Sequence, residues 1–337
     1  MHSQPLSLYV KRLAWVYTLI LVLISILPAA ASDQPANRPI STFSIVACDP
    51  QRGELGVAVA SRFFAVGHVV PWARAGIGAV ATQSFMNTSF GWRGLGLLEQ
   101  GLTPDEVAKV LLRGDQAPQK RQFGIVSADG HSITHTGSEC LNWAGGRSGP
   151  NYAVQGNILT GEAVVAAMEK AFLDTKGSLA ERLYAALRAG DRQGGDSRGR
   201  QSAALLVVRE KAGYGGYTDR AIDIRVDDHI EPMSELGRLL VIARMNDHWN
   251  QGWTLFTQKQ YDAALPPMEK AVALAPEMAE VWYDLAVIRL AAEEQPGALA
   301  ALAKALALNP KLKKQAAVDT DLGALRSNFE FKKLISD

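Results

Sequence analysis

Pro276 and Pro310 stand 34 residues apart, and so do Leu274 and Leu308, Ala271 and Ala305, Lys270 and Lys304, and Ala264 and Ala298. A fixed period constrains folding more than composition does. Each repeat must be one supersecondary unit whose apolar face only a neighbour can cover. The two copies, YDAALPPMEKAVALAP and QPGALAALAKALALNP, are rich in small residues and end on proline, as the second helix of a helical pair does. Trp249, Gly252, Trp282 and Ala286 fall where the first helix of each pair needs packing residues. The spacing predicts helical pairs over residues 249–310 with a capping helix beyond. Two pairs bury little alone, so the module is expected to dock on the preceding domain or on a second copy.

The preceding region has a different texture. Phe43–Cys48 and Leu55–Ala60 alternate as strands around the turn Asp49-Pro50-Gln51-Arg52-Gly53. Ile77–Gln83 reads as a further strand. Thr103, Pro104 and Glu106 form the opening of a helix that ends before Gly114. Asp129-Gly130 between Phe123–Ser127 and Ser132–Thr136 signals a hairpin. Helices are expected at Glu162–Leu173 and Leu179–Ala189, the second opened by Ser178 and Glu181 and stopped by Gly190; strands follow at Ala203–Arg209 and Tyr217–Val226. This order is α+β, with antiparallel sheets and helices on their faces.

Ahead of the strands, Lys11 and Arg12 precede the apolar run Leu13–Leu27, then Pro28 and Ala29-Ala30-Ala31. Basic, apolar, small is the order of a secretory signal peptide, and the run is short for a membrane span of ~20 residues. The expectation is residues 1–31 as a leader cut after Ala31, residues 32–41 as a polar linker or propeptide, and a periplasmic or secreted protein with no stable membrane span after cleavage. In such a compartment Cys48 and Cys140 could pair, or each could serve as a small buried hydrophobe. The formal net charge is +1 with no cationic run, which argues against nucleic acid as a partner.

Familiar chemical signatures are few. The Gly76-Ile77-Gly78 and Gly94-Leu95-Gly96 triplets lack the context of a dinucleotide fingerprint and read as turn or packing glycines. His131 with His135, and Asp227-Asp228-His229, read as solvated or capping residues, so neither metal nor cofactor is expected. The opening Ser41-Thr42-Phe43-Ser44 raises one alternative to ordinary strand chemistry. A hydroxyl needs a base, and a Thr at a chain terminus carries one in its own α-amine, whose pKa is ~7.7–8.0.

The run TFSIVACDPQRGELGVAVASRFFAVGHVVPWARAGIGAVATQ resembles the opening of the bacterial family catalogued as domain of unknown function 1028. The likeness continues through GLGLLEQGLTPDEVAKVLL, YAVQGNIL, GGDSRGRQSAALLVV and DIRVDDHIEP, about Thr42 to Pro232. That family resembles the N-terminal-nucleophile (Ntn) hydrolases, which implies a four-layer αββα sandwich. The repeat module in turn resembles tetratricopeptide repeats. In the family the TFSIVA stretch commonly follows the initiator Met, so the resemblance places the nucleophile at Thr42. This chain departs from that pattern, because a cut after Ala31 leaves ten residues covering Thr42.

The expected layout is an Ntn-hydrolase-like domain over residues 42–233 and a tetratricopeptide-like helical domain over 234–337. Thr42, Arg62 and Asn157 are the candidate catalytic residues: nucleophile, orienting or anion-binding cation, and oxyanion donor. Gln83, Asp196 and Arg198 are candidates for substrate binding. Ser41 and Ser44 are rival hydroxyls. The expected activity is hydrolysis of a small amide or peptide without a cofactor. The rival is a non-catalytic binding or assembly protein whose repeats recruit a protein partner or self-associate.

Overall fold

The computed structural model describes residues 42–336. The expected leader and linker lie outside the described residues. Described residues from Thr42 onward belong to one compact unit.

Two antiparallel sheets organise its first part. The larger has β1 (Thr42–Asp49), β2 (Glu54–Ser61), β7 (Gly145–Gly149), β8 (Tyr152–Asn157), β9 (Ser202–Val208) and β10 (Arg220–Val226) in the order β10-β9-β2-β1-β8-β7. The smaller has β3 (Pro71–Arg74), β4 (Gly78–Ser84), β5 (Arg121–Ser127) and β6 (Ser132–Thr136) in that order. β1 therefore has neighbours on both sides, and Phe43 faces Ala60 of β2 and Gly156 of β8. Successive side chains leave a strand on opposite faces, so each sheet contributes to two separate cores.

On one face Phe43, Ile45, Ala58 and Leu205 meet α3 (Glu162–Asp174) and α4 (Leu179–Arg192), through Val164, Met168, Leu183 and Leu187. On the other face Val46, Val57 and Val59 meet Ala79 and Ala81 of β4 and Val126 of β5. The far side of the smaller sheet places Val80, Phe123 and Ile125 against Phe90, Leu95, Val107 and Leu111 of α1 (Ser89–Glu99) and α2 (Pro104–Arg113). The layers are thus helices, sheet, sheet, helices.

The expected caps form. In α2 the Thr103 hydroxyl accepts from the Glu106 N–H while the Glu106 carboxylate accepts from the Thr103 N–H, and Ser178 and Glu181 repeat the arrangement in α4. Gly190 does not stop α4, which runs on to Arg192. Its role is clearance, since a Cβ there would lie 2.7 Å from Met168 Cγ. Gly94 and Gly96 lie within α1, where the helix comes close to Val80 of β4. The last strand begins at Arg220, three residues after the expected start. β7, with the sequence GGRSG, carries no apolar period that would mark it as a strand.

The C-terminal part is helical: α5 (Pro232–Thr257), α6 (Tyr261–Leu274), α7 (Ala279–Ala291), α8 (Gln295–Leu308), α9 (Leu312–Val318) and α10 (Phe329–Ile335). α6 and α8 start and end at positions offset by 34 residues, as the sequence period requires. Gly252 of α5 lets the helices approach, since a Cβ there would lie 3.3 Å from the Ala264 carbonyl oxygen and 3.4 Å from Met268 Cβ of α6. α5 also carries Met233, Leu236 and Leu240 into the core beneath β9 and β10, so one continuous helix serves both parts. Among the described residues no helix is long and apolar enough to cross a membrane. Both thiols are free. The Cys48 Sγ donates to Asn151 Oδ1 at 3.5 Å, and the Cys140 Sγ to the Arg121 carbonyl at 3.5 Å.

Candidate functional site

The layer between the two sheets changes character along its length. At the turn end of β1 and β2 it is apolar, with Val46, Cys48, Leu55 and Val57. Toward the start of β1 the same face presents Thr42, Ser44, Ser61, Gln83, Gln122, Gln155 and Asn157, all buried. The period of two places Thr42 and Ser44 on the face of Val46, and the same alternation carries Gln155 and Asn157 beyond Ala153. Buried polar groups are tolerable only when hydrogen-bonded, and these bond mainly to one another.

Gln122 is the hub. Its Oε1 accepts from Gln83 Nε2 at 2.8 Å and from Asn157 Nδ2 at 2.9 Å. Its Nε2 donates to the Gly156 carbonyl at 2.7 Å and to Thr136 Oγ1 at 2.9 Å. Gln83 Nε2 also reaches the Thr42 carbonyl at 3.2 Å, while its Oε1 accepts from the Ser44 hydroxyl at 2.6 Å. Gln155 Nε2 donates to Ser44 Oγ at 2.7 Å. Space for the Gln155 amide exists because residue 124 is glycine; a Cβ there would lie 2.3 Å from Gln155 Oε1.

Thr42 and Asn157 are direct cross-strand partners. The Thr42 hydroxyl lies 3.3 Å from Ser61 Oγ as its donor. Ser61 lines a cavity of about 340 Å³ at this end of the larger sheet, with Phe43, Asp191, Asp196, Arg200 and Met233 also in its wall. Arg200 there is held between the Asp191 carboxylate at 2.7 Å and Glu231 at 2.9 Å.

Arg62 follows Ser61 directly. Its N–H donates to Asp196 Oδ2 at 2.7 Å, and its guanidinium donates to the Arg198 carbonyl. Arg198 returns a hydrogen bond to the Arg62 carbonyl at 3.1 Å and pairs with the Asp196 carboxylate at 3.0 Å. The loop holding Asp196 is stitched to the end of β8, with Ser197 N–H donating to the Ile158 carbonyl at 3.0 Å. Ile158 itself has φ of 52°, and Ser84, which follows Gln83, has φ of 67°. Left-handed backbone at a non-glycine residue costs on the order of 1–3 kcal/mol, and both of these residues directly follow candidate site residues.

Of the six residues singled out from sequence, Thr42, Gln83 and Asn157 thus meet in one buried polar layer. Arg62, Asp196 and Arg198 meet in a cluster at its edge. Sequence reading missed Ser61, Gln122 and Gln155. The available signal was an amide or hydroxyl at alternate positions of otherwise apolar strands. His131 Nε2 lies 2.9 Å from Asp105 Oδ2, whereas His135 stacks on Phe123 with ring centres 5.1 Å apart. Burial lowers the His135 pKa, favouring its neutral form. His229 Nδ1 accepts from the Glu231 N–H at 3.0 Å. Among the described residues no group of three or more His, Cys, Asp or Glu side chains is placed to hold a metal ion.

Residues 42–236 match the model of a family described as a family of unknown function, DUF1028. Among solved structures, the crystal structure of a Silicibacter pomeroyi protein carrying the same family name is similar to this chain at 29% identity. The match covers 60% of this chain and 86% of that one, with a TM-score of 0.55. No curated protein matches the sequence.

Proposed function

The chain belongs to the DUF1028 family of unknown function, and from that premise we propose that it is an exported amide hydrolase whose nucleophile is an N-terminal Thr42. In this reading the layered domain is an Ntn-hydrolase-like sandwich and the helical part a tetratricopeptide-type module. One observation carries it. Thr42 opens an inner strand buried from Thr42 to Cys48, with its hydroxyl on Ser61, and Ser61 lines the cavity at that end of the sheet.

The chemistry requires the Ser41–Thr42 bond to be cut. Thr42 Oγ can attack the Ser41 carbonyl, moving that acyl group from the Thr42 nitrogen to its oxygen, and water then releases the acyl group as an acid. The freed α-amine, partly neutral near its pKa of ~7.7–8.0, becomes the base for the Thr42 hydroxyl. On a substrate amide the hydroxyl attacks the carbonyl, its proton passes through the amine to the leaving nitrogen, and water hydrolyses the acyl-enzyme. Asn157 is the proposed oxyanion donor; one such donor lowers a barrier by ~3 kcal/mol. Gln83 fixes the Thr42 carbonyl and so the aim of the strand end. Arg62, Asp196 and Arg198 shape the rim, where an anionic substrate group would meet the two cations.

The rival reading is a binding or assembly protein of the same fold. It is favoured by the fact that Gln83, Gln122 and Gln155 already hydrogen-bond within the layer. One experiment separates the two readings. The mature protein is recovered from its export compartment and its intact mass and first residue are determined, beside Thr42→Ala. A wild-type chain starting at Thr42, with the variant starting at Ser32, is expected. A wild-type chain starting at Ser32 has no free Thr amine and defeats the hydrolase.

A further inference from the structure

A second cavity, about 560 Å³, lies at the other end of β2 from Ser61. An eight-residue strand at ~3.4 Å per residue separates the two by roughly 25 Å. Its wall includes Glu54 of β2, Glu181 of α4, Arg244 and His248 of α5 and Lys270 of α6. It therefore exists only where the sandwich meets the first helical pair. Its volume is in the range of small-molecule sites.

The charges in this wall are partly spent on one another. Arg244 pairs with Glu181 at 2.8 Å, and Arg209 approaches Glu54 Oε1 at 3.4 Å. Arg52, from the β1–β2 turn, makes only a long contact with Asp49 at 3.9 Å, and Lys270, from α6, lies outside those two pairs. Two of the residues in this wall carry a buried atom with no hydrogen-bond partner, Glu54 Oε2 and His248 Nδ1. A carboxylate oxygen can only accept, and a neutral imidazole nitrogen accepts when the ring's other nitrogen holds the proton. Burial raises the Glu54 pKa in spite of Arg209, the Leu179 backbone and Arg52, and burial lowers that of His248. The carboxylate is thus short of positive charge, and the imidazole is neutral.

We infer that this cavity binds a small zwitterion, an amino acid or short peptide with a free ammonium and a free carboxylate. The ammonium donates to Glu54 and His248, and the carboxylate meets Arg52 and Lys270. A multiply charged anion is a poorer fit, because Glu54, Glu181 and Asp247 line the same space. The inference stands apart from the hydrolase reading, since none of these residues belongs to the Thr42 layer.

The test is calorimetric titration of the full mature chain carrying Thr42→Ala, which prevents turnover of the probe by the proposed nucleophile. The probes are alanine, alanyl-alanine, its N-acetyl derivative and its C-terminal amide. Saturable one-site binding of alanine or alanyl-alanine is expected, weakened at least tenfold by capping either end. Glu54→Gln and Lys270→Ala should each weaken it at least tenfold with unchanged circular dichroism. Lys270 is exposed, so its truncation probes the site without disturbing the sandwich core. Absence of saturable heat with both uncapped probes would mean that neither zwitterion occupies the cavity, and binding indifferent to Lys270→Ala would place the ligand elsewhere; either result would overturn the inference.

Discussion

Gln122 shows how much one side chain can hold. Its amide accepts from Gln83 and Asn157 and donates to the Gly156 carbonyl and Thr136. Gln122→Leu removes every one of these bonds while nearly keeping the volume. With several buried partners orphaned, the loss should be roughly 2–5 kcal/mol, read as a lower denaturation midpoint in urea at unchanged slope. An unshifted midpoint would mean that the layer relaxes onto other partners. Cys48 lies at the apolar end of the same layer. Burial, with Asp129 and Asp49 adding to it, pushes its thiol up to about 12, so almost no thiolate exists at pH 8. An aromatic disulfide reagent should leave Cys48 unmodified in the folded protein and modify it at once in guanidinium. The hydroxyls of Thr42 and Ser44 were legible because they sit at the start of a strand where turns do not explain them. Gln122 and Gln155 were not, because a lone glutamine in a strand looks like a solvent-facing residue until the second sheet covers it.

At the scale of elements, capping residues were the most legible. Thr103 and Ser178 each satisfy a helix-end donor through their own side chain, a local event that needs no tertiary partner. Where tertiary packing decided, the sequence was silent, as at Gly190, which reads as a helix stop and is a point of close contact. The pair α5–α7 contains a less visible element-scale feature. Asp284 of α7 accepts from the Trp249 indole N–H of α5 at 2.7 Å. Burial, with Asp319 and Glu280 adding to it, raises its carboxyl from 3.8 to about 6, against the lowering effect of that hydrogen bond. A carboxyl whose folded pKa is raised favours the folded state while it is protonated. That contribution is full below the unfolded value and is lost as pH rises from about 4 to about 6. Two pKa units correspond to a change on the order of 3 kcal/mol. Asp284→Asn keeps an acceptor for Trp249 and has no charge to bury. The variant should therefore unfold at a higher temperature than wild type at pH 7.5, and the difference should shrink toward pH 4. A difference independent of pH would assign the effect to packing.

At the scale of the molecule, the question is where the sandwich ends. The sequence places a boundary near residue 233, because the texture changes there from strand to repeat. The structure carries α5 through that point without a break, and its first turns complete the sandwich. Met233, Leu236 and Leu240 are buried against the core under β9 and β10, and Tyr184 OH donates to the Met233 carbonyl at 3.0 Å. The family match reaches residue 236, past the change of texture and into this helix. A chain shortened to end at Glu231 should therefore lose the packing of three large side chains. Each is worth roughly 2–5 kcal/mol, which together exceeds the margin of many domains. Loss of a cooperative thermal transition is expected. A chain ending at Ala243 keeps all three and should unfold cooperatively, though at a lower temperature than the full chain, because it loses the Arg244–Glu181 pair and the packing of the helical pairs. If the chain ending at Glu231 melts as sharply as the one ending at Ala243, α5 belongs to the repeats alone, and the junction is a linker between independent domains. The opposite result makes the first helix a shared beam, through which a partner held by the repeats would press directly on the sheet that carries Thr42.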